Sequence, residues 1–299
     1  RLLLLKRLYH KNLIGWSAQK RLEEIVIKII SDAVDATGIT DVAFSGGVFL
    51  NMIMNMKIQQ KFGKKLNLFF NPICNDLGNS VGAALEQCYQ ETGKNPVQPY
   101  MSLYLGNSYS DEEVVADSKK FNFKITKVNK VDTAIDLIER GKVIGWFQGR
   151  AEFGARGLGN RSILSLATEQ KYKDVVNEKV KKREAWRPFC PTIIEEKSEE
   201  MLENSTYAPY MILGFEMKNP ELYPAVCHVD GTTRPQILKK GTNPDFYQVV
   251  KGVGGIVLNT SFNLAGDPVV ETPYDALMTL KNSEMDAVII NDFMVEKNK

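Results

Sequence analysis

Over residues 17–36 the apolar positions Leu22, Ile25, Val26, Ile29, Ile30 and Val34 recur at steps of one, three and four, which predicts a helix with one buried face. Gly38 stands where such a helix ends. Residues 41–44 predict a short buried strand, after which Ser45, Gly46 and Gly47 turn the chain into a helix over about 48–62. A strand over 66–70, a turn through Asn75–Ser80 and a helix over 81–90 continue the alternation. Strands alternating with helices predict an α/β layer structure.

Residues 93–99 contain Pro96, Pro99 and Gly93 without apolar periodicity and predict a boundary, giving domains at 1–95 and 96–299. Ser110 followed by Glu113 predicts a capping box that opens a helix through about residue 120. A strand over 121–127, a helix over 133–140 and a buried strand over 142–147 follow, with later helices over 170–182 and 274–282. The second domain is therefore also expected to be α/β. Neither an internal repeat nor a low-complexity tract is visible.

The chain has 299 residues, 43% hydrophobic and 25% charged, enough for two packed cores. The apolar run at 2–5 is far short of the ~20 residues that span a bilayer, so no membrane partner is expected. Residue 1 is Arg, not Met, which suggests part of a longer protein, and no secretory signal is expected. Cys74, Cys88, Cys190 and Cys227 form no framework and fit a reducing cytoplasm. His10 and His228 are the only histidines, so no zinc site is predicted. A net charge of +2 argues against a nucleic-acid partner, and an oligomer is compatible with all of this.

Basic residues are informative by position. Only ten of the 38 are arginines, and Arg150, Arg156, Arg161, Arg183 and Arg187 fall close together. The first three are interleaved with Gly149, Gly154, Gly157 and Gly159, with Gly145 just before them. Guanidinium groups grip phosphate or carboxylate oxygens, and glycines let backbone N–H groups approach a ligand, so the segment predicts an oxyanion pocket. The alternative is solvated charge beside turn-forming glycines. No phosphate-binding loop of the Walker type, dinucleotide fingerprint or nucleophile elbow is present.

From Gly145 to Ser162 the sequence resembles the nodulation-protein-U-type O-carbamoyltransferase family. The resemblance recurs at Lys179–Pro191, where Cys190 replaces an expected Ala, at His228–Gln236 and at Leu258–Asn263. Phe44–Asn51 and Asn75–Ala84 extend it into the first domain. It implies the last part of an actin/Hsp70-like (ASKHA) carbamoyl-transfer domain, followed by a YrdC-like domain that makes carbamoyl-adenylate from carbamoyl phosphate and ATP. The carbamoyl group would then pass to a substrate hydroxyl.

The resemblance implies that Lys181, Arg183, Ser261 and Asn263 line the adenylate site, with His228 in a catalytic motif. Arg150, Arg156, Asn160, Arg161, Arg187 and Arg234 would hold carbamoyl phosphate and ATP. Gly46, Gly47 and Asn51 would belong to a nucleotide site in the first domain. ATP would enter with Mg2+, and Asp76 would bind iron or another divalent metal whose histidine ligands lie in an earlier segment. Plainer roles are open for Ser261 and Asn263 (a strand-ending turn), His228 (structural hydrogen bonding) and Asp76 (an N-cap). Adenylate formation by residues 96–299 is expected, full transfer is not. A threonylcarbamoyl-adenylate enzyme of tRNA modification and an RNA-binding module are the alternatives.

Overall fold

The computed structural model describes residues 9–94 and 102–298. The chain divides into two compact units, Arg1–Glu86 and Gln87–Lys299. The apolar run 2–5 lies outside the described residues, as does most of the expected linker 93–99.

In the first unit, α1 (Lys11–Thr37) begins earlier than its periodicity predicts, because the His10 ring accepts the Asn12 N–H and caps the start. Gly38 ends it at φ 68°, donating its N–H to Val34 O. Strands β1 (Asp41–Phe44) and β2 (Asn67–Phe70) pair in parallel. The single helix expected between them is broken into a 3-10 turn, Gly47–Leu50, and α2 (Met52–Phe62). The break sits at Asn51, which is extended and caps α2 by accepting the Met54 N–H at 3.1 Å. Ile30, Phe44, Met54, Ile58, Phe62 and Leu66 form the core. Helix α3 (Leu77–Thr92) contains the division between the units.

The second unit is built on an eight-stranded mixed sheet. Its strands are β3 (Phe123–Lys127), β4 (Ile144–Phe147), β5 (Arg161–Ser165), β6 (Cys190–Ile194), β9 (Gln236–Leu238), β10 (Ile256–Ser261), β11 (Ala287–Ile290) and β12 (Phe293–Lys297). The order is β3-β12-β11-β4-β5-β10-β6-β9, parallel at β11·β4 and β6·β9 and antiparallel elsewhere. A two-stranded ribbon, β7 (Phe215–Glu216) with β8 (Thr232–Thr233), stands apart from it. The mixed α/β class expected from the alternation is observed.

Helix α4 (Asp111–Ser118) opens with the expected capping box of Ser110 and Glu113. Helix α5 (Lys130–Glu139) packs Ile138 against the sheet, where Ile144, Trp146, Leu164, Val257 and Ile289 are buried. Burying each such side chain contributes about 1.5–3 kcal/mol. The helix expected over 170–182 is α6 (Gln170–Val175), which widens into a π-helical turn, Val176–Lys181. Helices α7 (Glu195–Met201) and α8 (Pro244–Gly252) were not expected, and α9 (Pro273–Lys281) was. Among the described residues no helix is long and apolar enough to cross a membrane.

Candidate functional site

The chain leaves the π-helical turn through Lys182 in a left-handed conformation, φ 51°. Turns of this kind often mark functional positions, and this one sets Lys181 against the end of β10. Lys181 is 3% exposed. Its Nζ donates to Ser261 O at 2.5 Å and Asn263 Oδ1 at 2.6 Å, and lies 3.5 Å from Ser261 Oγ. Ser261 Oγ donates to Asn263 Oδ1 at 2.8 Å, so serine and asparagine form one acceptor pair around the amine. The loop is held by buried Phe262, whose N–H bonds Arg161 O and whose carbonyl accepts from Val270, both at 2.9 Å.

All three oxygens near Lys181 Nζ are neutral, while the guanidiniums of Arg183 and Arg187 are close enough to repel its charge. Burial first, then these two cations, lower the Lys181 pKa to about 7. Arg183 is fixed by Asn177: its Nε donates to Asn177 Oδ1 at 2.7 Å and its backbone N–H to Asn177 O at 3.0 Å. Its guanidinium lies 4.5 Å from the centre of the Phe189 ring. Burial, then Arg187, lower the Arg183 pKa to about 10. Arg187 is exposed, with Glu184 3.8 Å away.

Register places further residues at the same end of the sheet. Asn259 of β10 pairs with Cys190 of β6, and Thr192 pairs with Gln236 of β9. Arg234, two residues before β9, donates to Cys190 Sγ from Nε at 3.3 Å and Nη2 at 3.2 Å. Burial, then the charges of Arg234 and Lys173, lower the His228 pKa against the opposing pull of Asp230. His228 Nδ1 is 3.3 Å from Thr232 Oγ1, and its buried Nε2 has no partner among the described residues. Lys181, Ser261 and Asn263 thus meet beside Arg183 and Arg187, while among the described residues Arg234 and His228 connect to Arg183 only through Cys190.

The other predicted residues divide differently. Arg161 is fully buried: its guanidinium bonds the carbonyls of Gln148 (2.8 Å) and Asn107 (3.0 Å) and stacks 3.5 Å from the Phe147 ring centre. Arg150 donates to Gly106 O at 2.9 Å and Leu105 O at 2.6 Å, and Asn160 Nδ2 to Arg150 O at 2.7 Å. These three tie segments of the unit together. Arg156 is half-buried in the loop between Gly154 and Gly157. The glycines expected to admit a ligand serve packing at three positions. An added Cβ would meet Phe262 at 2.5 Å from Gly145, Arg161 O at 2.8 Å from Gly157 and Phe246 at 2.1 Å from Gly159.

In the first unit, Gly46 (φ 103°) and Gly47 border a recess of about 450 Å³ walled by Val26, Ile30, Val34 and Phe44. Asn51 caps α2 and bonds Gln19 at 2.7 Å. Asp76 is exposed just before α3, its carbonyl accepting the Asn79 N–H at 3.1 Å. Among the described residues no three His, Cys, Asp or Glu side chains converge, so these residues do not make a metal site by themselves.

Residues 135–297 match the family described as Carbamoyltransferase C-terminus, and residues 2–85 match Carbamoyltransferase N-terminus. The chain belongs to the carbamoyltransferase family. Among its curated relatives, Nodulation protein NolO of Bradyrhizobium diazoefficiens is 33% identical over 95% of this chain and 54% of its own length. The 3'-hydroxymethylcephem-O-carbamoyltransferase of Streptomyces clavuligerus is 30% identical over 85% of this chain and 48% of its own. The chain spans about half the length of the curated relatives it matches. Among solved structures, full-length HypF in a phosphate- and nucleotide-bound form aligns over 58% of this carbamoyltransferase chain and 23% of its own, at TM-score 0.44 and 16% identity.

Asn177 and Glu152, which no sequence motif marks, hold the backbone around the candidate site and the glycine-rich loop. Asn177 is fully buried, and its only sequence signal is a polar position between the core residues Val176 and Val180. Glu152 Oε1 accepts the N–H groups of Leu158 (2.6 Å), Asn160 (2.8 Å) and Arg161 (3.2 Å), folding the glycine-rich loop around one carboxyl. Burial raises the Glu152 pKa.

Proposed function

We propose that residues 96–299 are a YrdC-like domain that forms carbamoyl-adenylate, and that residues 1–95 are the C-terminal part of an actin/Hsp70-like transfer domain. The reading rests on the convergence of Lys181, Ser261 and Asn263 beside Arg183 and Arg187, in a chain related to an O-carbamoyltransferase. A carbamate is a poor electrophile, and joining it to AMP supplies a good leaving group. Carbamoyl phosphate gives carbamate as its phosphate is lost to water. A carbamate oxygen then attacks the α-phosphorus of ATP, and pyrophosphate leaves with the electrons of the broken P–O bond. In the full-length enzyme a substrate hydroxyl attacks the carbamoyl carbon, loses its proton and releases AMP.

Charge gathers on phosphate oxygens in the adenylation step, and cations fixed before the reaction stabilise it most effectively. Lys181 and Arg183 take that role, with Arg187, Arg234 and Arg156 as further clamps on ATP, which enters with Mg2+. Ser261 and Asn263 hydrogen-bond the carbamoyl group or nucleotide, and His228 offers its unpartnered Nε2. Arg150, Asn160 and Arg161 act behind the site as supports. Asp76 is assigned to a metal, iron or another divalent ion, whose other ligands lie outside these residues, and no step here runs through it. Gly46, Gly47 and Asn51 are assigned to the nucleotide side of the transfer domain. Four free cysteines fit a cytoplasmic enzyme.

The test incubates the protein with carbamoyl phosphate and ATP and measures pyrophosphate release. Dependence on carbamoyl phosphate, and loss of release in Arg183→Ala and Asn263→Ala with unchanged circular dichroism, supports the reading. Equal release by wild type and both variants overturns it.

A further inference from the structure

Trp186 is 73% exposed, although it stands in a loop whose backbone is fixed. The buried Asn177 amide donates to Ala185 O at 3.1 Å and to Arg187 O at 2.9 Å, the carbonyls on either side of Trp186. The same side chain accepts from Arg183 Nε at 2.7 Å. A hydrogen bond from Arg187 N–H to Glu184 O at 3.1 Å tightens the turn, and Pro188 restricts the backbone that follows. These bonds hold the backbone on both sides of Trp186 against a fully buried amide, whose donors it would be costly to leave unpaired, and from that backbone the indole stands in water. The loop therefore holds a large apolar face out in water, between two residues of the cationic cluster. Arg187 is close enough to Lys181 for its charge to be felt there.

Resting on the carbamoyl-adenylate reading above, we propose that Trp186 is the surface on which the purine base of the bound nucleotide stacks. A nucleotide has an anionic half and a planar aromatic half. The cluster of Lys181, Arg183 and Arg187 suits the first, and an exposed indole carried on a fixed backbone beside it suits the second. Base–aromatic stacking needs no hydrogen-bonding partner, only a flat face held in place. Asn177 is then a positioning residue for both halves, since one amide anchors the Arg183 side chain and the backbone flanking Trp186.

The experiment compares binding of ATP and inorganic tripolyphosphate, which carries the phosphates without the base, by titration calorimetry. The wild type is expected to bind ATP more tightly than tripolyphosphate. Trp186→Ala is expected to weaken ATP about tenfold or more while leaving tripolyphosphate unchanged, and Trp186→Phe to keep most of the ATP affinity. With Trp16→Phe in the background, ATP but not tripolyphosphate is expected to quench the tryptophan emission. Weakening of both ligands alike by Trp186→Ala assigns the loop a structural role and overturns the proposal, as does unchanged ATP binding. Tighter wild-type binding of oligoadenylate RNA than of ATP overturns it in favour of a polynucleotide. If the wild type binds neither ATP nor tripolyphosphate, the adenylate-forming function falls along with it.

Discussion

Lys181 Nζ and Asn263 Oδ1 are 2.6 Å apart although 82 residues separate them in sequence. The contact joins the end of a π-helical turn to the loop after β10, and Ser261 Oγ shares the same acceptor at 2.8 Å. Asn263→Ala removes the acceptor common to both. Its amide also donates to Asp267 O at 2.7 Å, so the loop loses an anchor as well. A hydrogen bond to a charged group contributes about 1.5–3 kcal/mol, which corresponds to roughly a 10- to 150-fold loss. Pyrophosphate release by Asn263→Ala is expected to fall within that range. Wild-type rates in Asn263→Ala would remove the residue from the site.

Lys181 also gives the protein a pH dependence of predictable sign. Its folded pKa is about 7 against the ordinary 10.5, so between those values the unfolded chain binds more protons than the folded one. The contribution of Lys181 to stability therefore rises with pH from about 7 to 10.5, and its penalty is at full strength below 7. An anion in the site acts in the opposite sense, because it favours the ammonium form. Affinity for pyrophosphate, measured by calorimetry, is expected to fall from pH 7 to 9, with proton uptake on binding near pH 7 to 8. Lys181→Met is expected to flatten both trends, and a pH-independent wild-type affinity contradicts the assignment.

How much of this was legible in the sequence depends on what each residue needs in order to act. Lys181 with Arg183, and Ser261 with Asn263, are short-range pairs, and the family resemblance singled out all four. Arg161 and Arg187 look alike in sequence, yet one is fully buried against backbone carbonyls and the other is exposed. That difference is set by neighbours such as Gln148 and Asn107, which no local pattern reveals. Helix α8 does carry a local signal, Asn243 followed by Pro244, an N-cap before a first-turn proline. The widening at Val176–Lys181 has no comparable signature. Inside it, Asn177 bonds the loop beyond at Ala185 O and Arg187 O, contacts no local pattern shows.

Glu152 gathers three backbone N–H groups on one oxygen while Oε2 is buried without a partner among the described residues. Glu152→Gln keeps the accepting oxygen but places an amide N–H group where Oε2 has no partner, so it is expected to cost about 1–3 kcal/mol at neutral pH, less than Glu152→Ala. Glu152→Ala leaves three donors unpaired at about 1–3 kcal/mol each. Because burial raises the folded pKa, the folded state holds the proton more tightly, and stability falls as pH rises from the unfolded value near 4.5 toward the folded one. Urea titrations across that window are expected to show the slope in the wild type and not in Glu152→Gln.

Cys190 stands where the family resemblance leads one to expect alanine, and its sulfur accepts two N–H groups from Arg234, at 3.3 and 3.2 Å. Sulfur is a weak acceptor, so the contact orients the guanidinium without neutralising it. Removing the sulfur in Cys190→Ala leaves those donors to water or to an anionic ligand. Arg234 is only half-buried, so the stability cost is expected to be about 1 kcal/mol. Pyrophosphate is expected to bind several-fold more tightly, since Arg234 no longer exchanges a protein contact for a ligand contact. Cys190→Ser keeps an acceptor at the same place and is expected to bind like the wild type. Calorimetry on the two variants separates the effects: equal affinities for Ala and Ser mean that the sulfur does not restrain Arg234.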